Sequence, residues 1–235
     1  MKRVISFIFF IVIVISVFQS CAFVKVMRTV RNEKVKIEPI AFKNKKIVFI
    51  PISHIGQPKF YNDLKDSLQS LKNSGYTIFY ESIRHRKADY DSITSDILIR
   101  KNRKISGGNI FNLKYYKDLE KVPMYKLIYK DFKVQPDFEE LGISETDVNA
   151  DLNLEQYVRL NENKFGIIEL DSIDINTPLD LSYSGKKSMG EYDWSLLDER
   201  NQNVANMVKS STCEKIAIVY GAKHYKGIKK YIRSN

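Results

Sequence analysis

Near each end of this chain, a lysine-led apolar run leads straight into a turn that delivers a histidine. The first run is Lys45-Lys46-Ile47-Val48-Phe49-Ile50-Pro51-Ile52-Ser53-His54. The second is Lys215-Ile216-Ala217-Ile218-Val219-Tyr220-Gly221-Ala222-Lys223-His224. Short runs of branched and aromatic residues bounded by turn residues predict buried strands. Aligned on the histidines, Lys45 falls on Lys215, and Ile47-Val48-Phe49-Ile50 falls on Ala217-Ile218-Val219-Tyr220. The chain has only three histidines, so two in matched places point to one site built from both ends of a domain.

The segments between these runs set the fold class. Phe60, Leu64, Leu68 and Leu71 recur at helical spacing between Pro58 and Gly75, and proline near a start with glycine past an end frames a helix. Residues 76–80 predict a second strand ending in Glu81, and strand, helix, strand implies a right-handed crossover and a parallel pair. Further on, helices are predicted at 89–99, at 152–160 with a loose Asn153/Gln156 capping box, and at 194–208. A strand is predicted at 165–170, a turn at 106–109 and a turn-rich loop at 176–190. A short basic helix ends near Ile232. Strands alternating with helices argue an α/β fold, with a central, mainly parallel sheet flanked by helices. Its two strand-turn-histidine halves are expected to face one pocket.

The N-terminus describes delivery. Lys2 and Arg3 precede an almost wholly apolar stretch to Phe18, short for a bilayer span, with an uncleaved anchor helix as the alternative. A charged start, an apolar stretch and small residues read as a signal peptide over residues 1–20. Phe18-Gln19-Ser20-Cys21 resembles a bacterial lipoprotein box, which implies cleavage before Cys21 and a lipid on its sulfur. Residues 21–44 then read as a tether, with a short strand at 35–40, and residues 45–235 as the folded domain. The expected location is the bacterial cell envelope, lipid-anchored in a membrane. Ala22 after Cys21, rather than aspartate, points to the outer membrane. With Cys21 lipidated, Cys213 has no partner within the chain, so the core alone must hold the domain. Losing Lys2 and Arg3 takes the formal charge from +10 to +8. The lysines alternate with acids and form no nucleic-acid motif, so the charge reads as a solvated surface drawn to anionic lipid, with no nucleic-acid partner.

In open α/β sheets, ligands bind beyond the carboxyl ends of the strands. His54, Glu81 and His224 all fall at such ends. Two histidines and a carboxylate are a ligand set for a divalent metal (manganese, cobalt, zinc or iron), with room for an activated water. The same trio also suits metal-free chemistry, with one histidine as general base oriented by Glu81. Arg200 is placed to hold a substrate carboxylate or stabilise an oxyanion. Blander assignments go to His85 (a solvated basic loop, Arg84-His85-Arg86), to Asp147 and Asp151 (carboxylates, with helix capping equally open for Asp151), and to Tyr115, Tyr116, Tyr125 and Tyr129 (packing).

Gly221-Ala222-Lys223-His224-Tyr225-Lys226-Gly227-Ile228 resembles the terminal Gly-Ala-x-His-x-x-Gly-Ile motif of the TraB/Tiki/GumN superfamily. Glu199-Arg200-Asn201 resembles its Glu-Arg-Asn box, Ile52-Ser53-His54 matches the position of its opening Gly-Thr-x-His motif, and Glu81 matches its glutamate. The likeness covers residues 45–86 and 194–232. It departs at Pro51, which stands where glycine is expected; proline fixes φ and removes a donor, so the first turn is expected to differ. The resemblance implies a membrane-anchored hydrolase acting on a peptide or ester bond, with a small-molecule or peptide substrate. Haem-binding lipoproteins and erythromycin esterases described in the same superfamily supply the alternatives: a haem-binding protein with a tyrosine or histidine on the iron, or an inactive surface binding protein.

Overall fold

The computed structural model describes residues 31–85, 90–106, 132–179, 181 and 196–234. The expectations for the signal segment, Cys21, the four tyrosines at 115–129, the 107–109 turn, Trp194 and most of the 176–190 loop lie outside these residues.

The elements in chain order are β1 (Glu38–Phe42), β2 (Lys45–Ile52), β3 (Ile55–Gly56), α1 (Pro58–Asn73), β4 (Thr77–Tyr80), α2 (Ser92–Ser106), β5 (Lys133–Val134), β6 (Val148–Asn149), α3 (Leu154–Phe165), α4 (Ser172–Asn176), α5 (Leu197–Ser210), β7 (Lys215–Gly221), a 3-10 turn (Ala222–His224) and α6 (Tyr225–Arg233). Five strands form one sheet in the order β1-β2-β7-β4-β6. β1 runs antiparallel to β2, and the other neighbours are parallel. β3 and β5 make a separate antiparallel pair. The fold is α/β, with a mixed, mostly parallel sheet flanked by helices.

Strand alternation divides the core. Ile216, Ile218 and Tyr220 of β7 face α5 and α6 through Val204, Ala205, Val208, Ile228 and Ile232. Ala217 and Val219 face α1 through Phe60, Tyr61, Leu64 and Leu68. Each fully buried leucine, such as Leu64 or Leu68, contributes roughly 1.5–3 kcal/mol. A third cluster, with Leu98, Leu154, Tyr157 and Leu196, joins α2 and α3 beyond the β6 edge.

Helix punctuation follows local chemistry. α1 has Pro58 in its first turn, and Gly75 at φ +82° turns the chain after its end. α3 carries the full Asn153/Gln156 capping box. α2 begins later than its periodicity suggests, because Asp91 accepts from the backbone N–H groups of Ile93 and Thr94 and so sets the start.

Four expectations are corrected. Residues 165–170 form no strand: α3 runs through Phe165, and Gly166 at φ +96° diverts the chain. The following Ile167 is 80% exposed, while Ile168 packs into the third cluster. The strand expected at 35–40 lies at Glu38–Phe42 and belongs to the sheet, with Ile40 in the core, so the folded domain begins before residue 45. β2 and β4 are parallel but not adjacent, because β7 lies between them. The two histidine-bearing strands do pair, but Lys46 opposes Lys215 and Ile52 opposes Gly221, one residue out of step with the alignment on the histidines.

The matched lysines have matched tasks. Lys45 Nζ donates to the carbonyls of Ser211 and Cys213, at the end of α5. Lys215 Nζ donates to the carbonyl of Ser74, at the end of α1. Each places a cation at the negative end of a helix. Pro51 is also explained. Lys46 N–H points toward β7, where it donates to Glu214 O, so alternation turns the nitrogen of Pro51 toward β1. The last β1 pair is Glu38 with Phe49, so Pro51 lies past that strand and removes no ladder bond.

Candidate functional site

Four neighbouring parallel strands release the chain at one edge of the sheet. In spatial order, His54 follows β2, Gly221 ends β7 and His224 follows it, Glu81 follows β4, and Asp151 follows β6. The first turn of α5 lies over the same edge and supplies Arg200 and Asn201.

Arg200 is the hub. Its Nε and one terminal nitrogen grip Asp151 at 2.9 and 2.6 Å, and the same terminal nitrogen reaches Glu81 Oε1 at 2.6 Å. The Asp151 side chain is fully buried and that of Glu81 is 12% exposed. The other Glu81 oxygen accepts from Gly221 N–H at 2.5 Å. A Cβ on residue 221 would lie 3.1 Å from that oxygen, so glycine is what lets the carboxylate approach the backbone there.

His224 is 4% exposed. Its Nδ1 lies 2.7 Å from Asn201 Oδ1, and its Nε2 faces Glu81 Oε1 at 3.5 Å. Tyr220 meets the imidazole edge-on at 4.9 Å. Gly227 gives Asn201 its place: a Cβ there would sit 2.1 Å from the Asn201 amide nitrogen. The Gly-Ala-x-His-x-x-Gly run is thus a set of close approaches, Gly221 to Glu81 and Gly227 to Asn201.

The electrostatics follow from this packing. Burial pushes the Glu81 carboxyl upward, but the His224 hydrogen bond, the charges of Arg200 and His224 and the Gly221 N–H outweigh it, bringing the pKa down to about 2. Burial likewise opposes the Arg200 charge, yet Asp151 and Glu81 hold its pKa above the ordinary value. The buried Tyr220 hydroxyl has no hydrogen bond of good geometry. Burial first, then the charge of Asp151, raises its pKa well above the usual range. Two carboxylates share one guanidinium.

The structure thus unites Glu81, His224 and Arg200 and adds Asp151, Asn201 and Tyr220. It does not bring His54 into a metal-binding trio. Among the described residues, no group of three or more His, Cys, Asp or Glu is placed to hold a metal ion. The cause lies just after the paired strands. Past β7 the chain tightens into the 3-10 turn and folds His224 under Tyr220. Past β2 it stays open: Ser53 Oγ turns back to Ile55 O, β3 begins, and His54 is exposed, its carbonyl accepting from Gln135 N–H. Glu81 is a poor cation ligand besides, with one oxygen on Arg200 and the other on a backbone N–H. A divalent metal therefore does not fit these residues.

The remaining candidates are structural or differently engaged. Arg200 is engaged by two carboxylates of the chain itself, through Nε and one terminal nitrogen. Asp151 caps no helix; Asn153 does, and Asp151 receives Arg200. Asp147 pairs with Lys72 at 2.5 Å and accepts from Ile78 N–H. Arg84 donates to the Tyr80 hydroxyl at 2.8 Å. His85 is not a solvated loop residue: its Nε2 lies 2.8 Å from Ser95 Oγ and its ring stacks on Tyr90. No helix among the described residues is long and apolar enough to cross a membrane. A comparison with known protein families, curated proteins and solved structures returns no match.

Proposed function

We propose that this chain is an exported, lipid-anchored hydrolase of the TraB/Tiki type, cleaving a peptide or ester bond, with His224 as its proton-transfer group. The observation that carries the reading is the tethering of His224. Asn201 fixes the ring through Nδ1, while Nε2 faces the Glu81 carboxylate at 3.5 Å. In the neutral ring, Nδ1–H donates to Asn201 and Nε2 accepts a proton from water attacking the carbonyl. Glu81, ionised throughout, stabilises the imidazolium that forms, and His224 then passes the proton to the leaving nitrogen or oxygen. Arg200 and Asp151 keep Glu81 in place and charged. Lipid on Cys21 holds the domain at the outer membrane, where a peptide or small-molecule substrate meets it.

The test is a panel of short peptides and carboxylic esters offered to the purified full chain in detergent, with and without a chelator. Turnover indifferent to the chelator is expected. Turnover abolished by the chelator contradicts the metal-free mechanism. Failure on every substrate, with a Soret band appearing on haem titration, replaces the reading with the haem-binding one. Failure in both arms leaves a binding protein without catalysis.

A further inference from the structure

A second pair of reactive side chains lies away from His224, on α2 and the segment after β4. We propose that Ser95 and His85 form an acyl-transfer dyad accepting neutral carboxylic esters with a short apolar acyl group. A serine hydroxyl on a helix can turn back onto the carbonyl four residues earlier. Ser106 and Ser210 do so here. Ser95 instead reaches His85 Nε2 at 2.8 Å, the nucleophile–base contact that serine catalysis requires.

Both partners are held. His85 stacks on Tyr90 with the rings 5.6 Å apart and only 9° from parallel. The residue before it is fixed by a bridge from Arg84 to Asn153, and Arg84 O accepts from Leu154 N–H. Ser95 is 7% exposed and lies in the first turn of the 15-residue α2, where its backbone N–H donates to Asp91 O. Ser95 lines a cavity of about 440 Å³, together with Tyr90, Ser92, Asp96, Ile99 and Leu179, within the size range of small-molecule sites. Ile99 and Leu179 offer apolar wall for an acyl chain. The charge of Asp96 is matched by Arg100 Nε at 2.5 Å, so the cavity suits a neutral ligand.

The chemistry balances without a cofactor. Ser95 Oγ bonds to the ester carbon as its proton passes to His85 Nε2. The ester C–O bond breaks, and the alcohol leaves with that proton. Water then attacks the acyl carbon, giving a proton to His85 that returns to Ser95 Oγ as the free acid departs.

A fluorophosphonate probe reads this directly, because it phosphonylates an activated serine with loss of fluoride. The full chain is incubated with the probe, digested, and the labelled peptide located by mass spectrometry. Stoichiometric label on Ser95 is expected, lost in Ser95→Ala and slowed at least about 100-fold in His85→Gln. Label on Ser95 at the same rate in His85→Gln overturns the proposal, as does a folded wild type with no label on Ser95; the latter would mean that the pair is only a packing contact. The wild-type result stands whether or not either variant folds.

Discussion

Replacing Arg200 with methionine tests the electrostatic centre of the site. Methionine keeps much of the apolar stem and removes the guanidinium, leaving two buried carboxylates facing each other. Asp151 loses contacts at 2.9 and 2.6 Å and Glu81 loses one at 2.6 Å. Removing one partner of a buried ion pair costs about 3–5 kcal/mol. The pH dependence gives a second figure, for Glu81 as a whole, in which the His224 hydrogen bond counts ahead of the Arg200 charge. The Glu81 pKa lies at about 2 instead of its ordinary 4.5, and a difference of that size is worth roughly 3 kcal/mol of stability. Because the folded pKa is the lower one, this contribution is fully present above about pH 4.5. It is lost as the pH falls toward 2, where the folded carboxyl also takes up its proton. Urea unfolding followed by circular dichroism at a series of pH values measures both effects. Arg200→Met is expected to lose about 3–5 kcal/mol near neutrality and to show a shallower acid slope between about pH 4.5 and 2. A loss under about 1 kcal/mol with an unchanged acid slope would refute the argument, since it would mean that Asp151 and Glu81 are satisfied without Arg200.

Two further substitutions probe the close approaches. Gly227→Ala places a methyl group where the Asn201 amide lies 2.1 Å away; a loss of about 1–3 kcal/mol is expected, with weakened hydrolysis because Asn201 must leave His224. A more stable variant with unaltered activity would contradict the packing. Pro51→Ala is expected to shift stability by less than about 1 kcal/mol, because the nitrogen points past the end of β1; a larger loss in urea unfolding would show that the ring itself holds the strand end.

Much of the fold can be read from residue order because it is local. The Pro58-to-Gly75 frame, the Asn153/Gln156 box and the apolar run from Lys215 to Tyr220 each specify their own element. What escapes depends on partners far away in sequence. Nothing in residues 45–54 and 215–224 reveals a pairing offset by one, with Lys46 opposite Lys215. The insertion of β7 between β2 and β4 is equally nonlocal. At the site, Glu81, Arg200 and His224 are legible from their places at strand ends and on the adjoining helix. Asp151 is not, because an acid just before a helix looks like a cap until Asn153 is seen to do that work. Asn201 had a signal in the Glu199-Arg200-Asn201 triplet, but its meaning appears only once Gly227 is seen to make room for it. His54 misleads for the opposite reason: the strands match, and the divergence begins in the turns after them.

The central claim is that His224 moves the proton and Asn201 aims it. The direct measurement is kcat/KM for one hydrolysed substrate in wild type, His224→Gln and Asn201→Ala, each shown to be folded. The account predicts a loss of at least about 100-fold for His224→Gln and a smaller but clear loss for Asn201→Ala. Wild-type kcat/KM in a folded His224→Gln would contradict it.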